Sequence, residues 1–377
     1  MVYIFMAEKN KIKVIHYIFK LNNLGGAELQ VLNIVNFLDK SLFETFVLTI
    51  NVTSEVLEKF NKKNIKVINL EINNIFKIYR IILIPFIFIK YKIDILHTHF
   101  FYAHLTGRIF GFFCGIKKIF STEHNLIDWT QRNILLRKLN YFTVYYLTDK
   151  IIAISNSVAE ILKQNNIQQN KILKIYNGID IKKYSQKIGE DKKQKIKEEL
   201  NIKNEIVLLT IARLEKRKGL NYLIEAVEKL RKINIKLLIV GAGKEYKNLT
   251  KQVEILKLTN KVLFTGAKQN VNEILQIADL FIMPSISEGL GIAIIEALAA
   301  GVPVIATNTG GIPEIVENNV NGILVEPQNS DALANAILKI LTDGELLNFL
   351  KSNAQNSVCQ KFDIREIIKI YQELYQI

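Results

Sequence analysis

The sequence predicts an α/β protein of two halves, each a parallel β-sheet covered by helices on both faces. Three observations predict it. Strand-like apolar runs alternate with amphipathic helical stretches along nearly the whole chain. Those strands read as continuous apolar runs, as strands buried on both faces do. Finally, 377 residues exceed what one core ordinarily organises, and a polar, charged stretch at 182–204 divides the pattern near its middle.

The first half opens with a strand at 13–19 ("KVIHYIF") and a helix at 26–39. Strands follow at 43–50, 65–70, 93–99, 117–124 and 149–155, the last backed by the helix "NSVAEILKQ"; 171–180 closes the half. The junction falls near the start of 182–204, which predicts domains of 1–181 and 182–362. The rhythm then restarts with the strand "EIVLLTIA", the helix "GLNYLIEAVEKL", the strand "KLLIVG" and the helix "KEYKNLTKQVEIL". Strands "KVLFTG", "DLFIMPS", "VPVIAT" and "NGILVEP" come next, and a helix ends the chain at 363–377. Two α/β halves of similar length predict a ligand crevice between them.

Composition excludes some classes. The two cysteines, Cys114 and Cys359, lie far apart and form neither a disulfide framework nor a metal-ligand spacing. That fits a reducing cytoplasm. The opening residues break into charges before any signal-like apolar run develops. The greasiest run, 81–89, is bounded by Arg80 and Lys90 and interrupted by Pro85. It is too short to cross a hydrocarbon layer, which needs about 20 helical residues. The net charge of +14 is uneven: residues 61–150 hold 14 Lys/Arg against 5 Asp/Glu. Such a surface suits nucleic acid, anionic lipid or a phosphorylated substrate, or is simply a solvated lysine-rich face.

Glycine-rich turns mark where strands meet helices. Gly25 and Gly26 open the first helix, where backbone N–H groups and the helix dipole suit a diphosphate. The turn 240–245, with Gly241, is similar. Glycine at either place equally serves conformation alone. In "IARLEKRKG" (211–219), Arg213 stands at a strand's C-terminal end and Lys218 precedes the next helix. Arg by its planar fork and Lys as a point charge can clamp a phosphate there.

Residues 287–301, "SEGLGIAIIEALAAG", place Glu288 in a strand–helix loop and Glu296 inside an apolar helix. A buried carboxylate is costly unless hydrogen-bonded. Ribose hydroxyls would satisfy Glu296, and hexose hydroxyls Glu288. The N–H groups of Gly289, Leu290 and Gly291 would face a diphosphate between them. The competing reading is a helix-terminal charge plus a structural salt bridge.

Taken together, the chain resembles a retaining glycosyltransferase of family 4, with the GT-B fold of two Rossmann-like domains. The resemblance rests on "GGAE" (25–28), "HTHFFYAHLTGRI" (97–109), "STEHN" (121–125), "AISNSV" (153–158), "YNGID" (176–180) and "ARLEKRKGL" (212–220). It continues through "VGAGKE" (240–245), "LFTG" (263–266), "ADLFIMPSISEGLGIAIIEALAAGVPVIAT" (278–307), "GGIPEIV" (310–316) and "NGILV" (321–325). It implies a hexose-type sugar moved from a nucleoside-diphosphate sugar, UDP- or GDP-linked, to a glycan or lipid-linked acceptor. Surface polysaccharide or lipid-linked glycan synthesis is the implied setting.

The resemblance also implies roles. Arg213 and Lys218 match the donor-diphosphate clamp, Glu296 the ribose position and Glu288 the donor-sugar position. Gly25 and Gly26 match a turn that nears the phosphates from the N-terminal domain, and His124 the histidine near the reaction centre. The last helix, 363–377, is expected to return to the N-terminal domain. No two aspartates stand two apart, so the D-x-D metal motif is missing. The family dispenses with a catalytic metal, and retention is implied to proceed by front-face return, the leaving phosphate helping to deprotonate the acceptor.

His97, His99 and His104, with His124, also invite a zinc reading. No cysteine or carboxylate joins them at a clear spacing, so acceptor contact or packing is the expectation and metal ligands are none. The acceptor is not readable. Around 77–92 and 128–142, apolar residues mix with cations; Trp129, Arg132, Arg137 and Lys138 suit either an anionic bilayer or a packed helix with a wet face. The expected location is cytoplasmic, peripheral on the inner face of the cell membrane, with no nucleic-acid partner. Two further readings stand open: a GT-B-fold nucleotide-sugar epimerase, and a catalytically silent membrane-binding subunit.

Overall fold

The structure, a computed structural model, describes residues 11–22, 25–124, 133–268 and 270–376. Trp129 and Arg132 lie outside the described residues. The chain divides into two compact units, Met1–Ile175 with Ile367–Ile377, and Tyr176–Glu366. The division comes ahead of the 181/182 junction read from composition, for a local reason. Ile179 bridges Asp363 and donates its N–H to the Phe362 carbonyl at 2.9 Å. Arg365 donates to Asp180 Oδ1 at 2.9 Å. These bonds fasten 176–181 to the second unit.

The described residues of the first unit hold nine strands: β1 (Ile12–Ile18), β2 (Lys20–Leu21), β3 (Phe43–Thr49), β4 (Asn51–Val52), β5 (Lys66–Asn69), β6 (Ile95–His99), β7 (Lys118–Glu123), β8 (Lys150–Ala153) and β9 (Ile172–Lys174). Seven form one sheet in the order β5-β3-β1-β6-β7-β8-β9, and its pairs are parallel. β2 and β4 pair separately. Alternation along each strand feeds two cores. Ile15 and Tyr17 pack with Phe46, Leu48 and Leu96, whereas Ile18 packs with Val47 and with Val31 and Val35 of the helix Gly26–Phe37. Each such fully buried side chain stabilises by roughly 1.5–3 kcal/mol.

The second unit repeats the scheme. β10 (Ile206–Ile211), β11 (Ile235–Val240), β12 (Val262–Gly266), β13 (Leu280–Met283), β14 (Val304–Thr307) and β15 (Gly322–Val325) lie in the order β12-β11-β10-β13-β14-β15, all parallel. Leu208, Leu237, Ile239, Leu280 and Ile282 pack with Leu223, Ile224 and Val227 of the helix Leu220–Lys229. Strand order reverses between β1 and β6, and again between β10 and β13. In open α/β sheets, ligands bind at the carboxyl ends of strands beside such a reversal.

The greasy segment forms a 3-10 helix, Ile75–Ile82, continued by the α-helix Leu83–Tyr91. Pro85 sits in the first α-helical turn, where a missing N–H is tolerated. Ile84 and Phe88 point into the core, while Ile75, Phe76, Tyr79, Ile82, Phe86 and Ile89 remain exposed. Among the described residues, no helix is long and apolar enough to cross a membrane. The final helix, Ile364–Gln376, belongs to the first unit from Ile367 onward. There Tyr375 stacks on Phe120 and meets Phe43 edge-on, with centroids 5.8 and 6.0 Å away.

Candidate functional site

In the second unit, the candidates gather at the reversal. β10 ends at Ile211, and Arg213 follows with its side chain 62% exposed, 3.5 Å from Glu215. Lys218 ends a short 3-10 turn and is buried. Its ammonium donates to Glu288, which also accepts from Ser285 Oγ at 3.3 Å. Burial alone would push the Glu288 carboxyl up, but the Lys218 charge and hydrogen bond outweigh it and hold it below the usual range. Lys218 is itself lowered by burial, against the pull of Glu288. The pair is therefore an ion pair in low dielectric, where a charge is kept only by a partner.

The loop carrying Glu288 is braced from β14 onward. Thr307 Oγ1 donates to the Ser285 carbonyl at 2.5 Å and Thr309 Oγ1 to the Ile286 carbonyl at 3.1 Å. Gly311 N–H reaches the Glu288 carbonyl at 3.3 Å. Gly310 sits at φ 55°, where an added Cβ would lie 1.8 Å from that same carbonyl oxygen. The segment "VPVIAT…GG" thus positions the acid by backbone approach. Gly289, Leu290 and Gly291 follow, all buried, and Gly291 at φ 104° caps the helix Ile292–Ala299.

Glu296 is the fifth residue of that helix and is buried among Ile294, Ile295, Ala297 and Leu298. Tyr184 Oη donates to its Oε1 at 2.6 Å. Burial pushes the carboxyl up to about 7, with the Tyr184 hydrogen bond pulling the other way. Among the described residues the Glu296 carboxyl thus has a single hydrogen-bond partner, for a group with several acceptor sites.

Glycines predicted to touch a ligand divide into two kinds. Gly241, at φ 147°, donates its N–H to the Gly266 carbonyl, and a Cβ there would fall 1.9 Å from the Ala212 carbonyl oxygen. Its N–H is engaged, so its contribution is close packing that seats the Arg213 segment. Gly25, in the first unit, has φ −84°, open to any residue, and caps the helix Gly26–Phe37. What Gly25 leaves is room, since among the described residues a Cβ would crowd only the end of the Glu28 side chain.

The first unit's reversal carries the histidines. Parallel register sets His16 beside His97 and Ile18 beside His99. His97 and His99, two apart on β6, share a face. Ring nitrogens of His16, His97 and His99 lie within 4.8 Å of one another. Both nitrogens of His97 are already engaged, Nδ1 with Tyr375 Oη at 2.5 Å and Nε2 with Thr122 Oγ1 at 2.7 Å. His104 does not join them. It meets Thr98 Oγ1 at 2.8 Å and stands 3.5 Å from Glu123, beside the buried Arg108 that binds Ser121 and Asn140. His124 follows β7 and meets His99 Nδ1 at 3.1 Å. Burial lowers all five rings, His16 and His124 to about 3, so they are neutral at physiological pH.

The family described as Glycosyltransferase Family 4 matches residues 24–183, and that described as Glycosyl transferases group 1 matches residues 191–357. N-acetyl-α-D-glucosaminyl L-malate synthase of Bacillus anthracis is 31% identical over 292 residues, 75% of this chain and 74% of the relative. The chain belongs to glycosyltransferase family 4. This glycosyltransferase is also 29% identical, over 76% of both chains, to the UDP-Gal:α-D-GlcNAc-diphosphoundecaprenol α-1,3-galactosyltransferase of Escherichia coli. Its fold is that of Anabaena HepE, solved with UDP and glucose: TM-score 0.88 at 24% identity, covering 97% of this chain and all of that one.

For the family-4 enzyme, the group 1 match contains Arg213, Lys218, Glu288 and Glu296, and the family 4 match contains Gly25, Gly26 and His124. Sequence reasoning missed Tyr184, Ser285 and His16. Tyr184 hid in the polar stretch read as a junction. His16 became a neighbour of His97 only through strand register, which a single sequence does not print.

Proposed function

We propose that this glycosyltransferase moves a hexose-type sugar from a uridine-diphosphate sugar to a glycan or lipid-linked acceptor, retaining anomeric configuration. The observation that carries the reading is the ion pair of the buried Lys218 with the partly buried Glu288, one loop away from the buried Glu296. Arg213 and Lys218 neutralise the departing diphosphate, aided by the N–H groups of Gly289, Leu290 and Gly291 at the helix start. Glu296 accepts from the ribose hydroxyls and Glu288 from those of the sugar. The anomeric C–O bond breaks with its electron pair going to the diphosphate. The acceptor hydroxyl bonds to carbon on the same face, and its proton passes to a leaving phosphate oxygen. Side chains and backbone supply the positive charge, so transfer is metal-independent. Supporting the uridine nucleotide are the HepE complex and the UDP-Gal donor named for the Escherichia coli relative; that relative's diphosphoundecaprenol substrate supports the acceptor class.

The same reading places the enzyme in the cytoplasm, against the inner face of the membrane. The exposed Phe76, Tyr79, Ile82 and Phe86, interleaved with Lys77, Arg80 and Lys90, suit an anionic interface. Saturation-transfer NMR against UDP- and GDP-sugars tests the donor. Saturation of a UDP-sugar's uracil, ribose and hexose protons is expected. Saturation by GDP-sugars alone would overturn the nucleotide.

A further inference from the structure

We infer that Tyr375, on the last helix, fixes which nitrogen of His124 carries the proton, acting through His16 and His99 as a positioning residue. The links are continuous. Tyr375 Oη lies 3.5 Å from His16 Nε2, His16 Nδ1 lies 3.0 Å from His99 Nε2, and His99 Nδ1 lies 3.1 Å from His124 Nε2. On its other side Tyr375 meets His97, which meets Thr122. His16, His97 and His99 are fully buried, so water does not break the sequence.

A neutral imidazole has one N–H and one lone pair. In a line of such rings, each N–H must face a lone pair, so the protons point all one way or all the other. The bond made at one nitrogen sets the tautomer at the next. Tyr375 has a single hydroxyl proton and two imidazole neighbours, so it decides the direction. Its 2.5 Å contact to His97 suits O–H donation, which is shorter than N–H donation. His97 Nε2–H then donates to Thr122. The Tyr375 oxygen accepts from His16 Nε2–H, His16 Nδ1 accepts from His99 Nε2–H, and His99 Nδ1 accepts from His124 Nε2–H. His124 Nδ1 is left with its lone pair.

That atom is buried and finds no partner among the described residues. A buried acceptor without a donor is unusual in a folded protein. It marks the end of the relay as the place where a hydroxyl of a bound sugar completes the line. This last statement rests on the transfer reading above; the direction of the relay does not.

The test is 15N-histidine labelling of the full chain, read by long-range proton–nitrogen NMR without substrate. With five histidines, the spectrum is assignable by single substitutions. The expected result is His124 protonated at Nε2 and bare at Nδ1. In Tyr375→Phe, which keeps the ring, the resonances of His16, His99 and His124 move toward an average of both tautomers while His104 stays. Turnover falls, by about tenfold in kcat with little change in KM, as when support needed only in the transition state is lost. A wild-type His124 protonated at Nδ1, or unmoved His124 resonances in Tyr375→Phe, would overturn the relay. If that variant does not fold, Thr122→Val removes the far end and is expected to move the same resonances. A wild-type protein inactive on every sugar donor would fail the transfer reading and leave the relay standing.

Discussion

Lys218 and Glu288, 70 residues apart in sequence, form an ion pair at the carboxyl ends of β10 and β13, with only 9% and 12% of their side chains exposed. The pair changes how the donor clamp is tested. Removing one partner of a buried pair strands the other charge, at about 3–5 kcal/mol. Lys218→Ala is therefore expected to lower stability by that much, measured by urea denaturation, in addition to its loss of transfer. A Lys218→Ala variant as stable as wild type would show that Glu288 finds another partner.

Arg213 is the cleaner probe, because it is exposed and its only described ion-pair partner is Glu215. Arg213→Ala is expected to stay within about 0.5 kcal/mol of wild-type stability, as exposed sites do. Its kcat/KM is expected to fall about a hundredfold, the loss of one contact made to developing charge. Near-wild-type turnover would remove Arg213 from the clamp.

Glu296 makes stability depend on pH. Its carboxyl titrates near 4.5 when unperturbed and at about 7 in the fold. Between those values the native state holds more protons than the unfolded state, so stability falls as pH rises through the window. The shift corresponds to roughly 3 kcal/mol. Unfolding free energies at pH 4.5 and pH 8 for wild type and Glu296→Gln measure it: the difference between the two proteins should change by about that amount. Equal differences at both pH values would mean that Glu296 titrates in the fold as it does in the unfolded chain.

Metal independence has a direct check. His97 spends both nitrogens on hydroxyls, which argues for a hydrogen-bonded cluster over a metal centre. Transfer is expected to persist in excess EDTA. Complete loss in chelator, restored by one divalent ion, would turn the His16–His97–His99 cluster back into a metal site.

The βα rhythm was legible because strands buried on both faces must be apolar throughout. The two glutamates were legible because a carboxylate in an apolar helix, and another eight residues before it, demand partners. Those partners were not legible. Tyr184 and Lys218 reach their acids through tertiary packing, across 112 and 70 residues. The segment 171–180 that closes the first half is strand only over β9, Ile172–Lys174, because 176–181 is claimed by Phe362, Asp363 and Arg365.

The two acids should fail differently. At pH 8, where the Glu296 carboxyl is ionised, Glu296→Gln keeps a hydrogen-bonding side chain but loses its charge, so UDP and every UDP-sugar should bind more weakly. A hydrogen bond to a charged group contributes about 1.5–3 kcal/mol, or roughly 10- to 150-fold in Kd. On the proposed roles Glu288→Gln alters only the contact to the transferred sugar, so turnover should fall. It also releases Lys218 from its ion pair and leaves that ammonium more available to the diphosphate. UDP should then bind no more weakly than to wild type. Titration calorimetry with UDP alone separates the cases, because UDP keeps the ribose proposed for Glu296 and lacks the hexose proposed for Glu288. If Glu288→Gln weakens UDP as much as Glu296→Gln does, the acids act as one structural unit, with Lys218 as counter-ion to the loop and not to the donor.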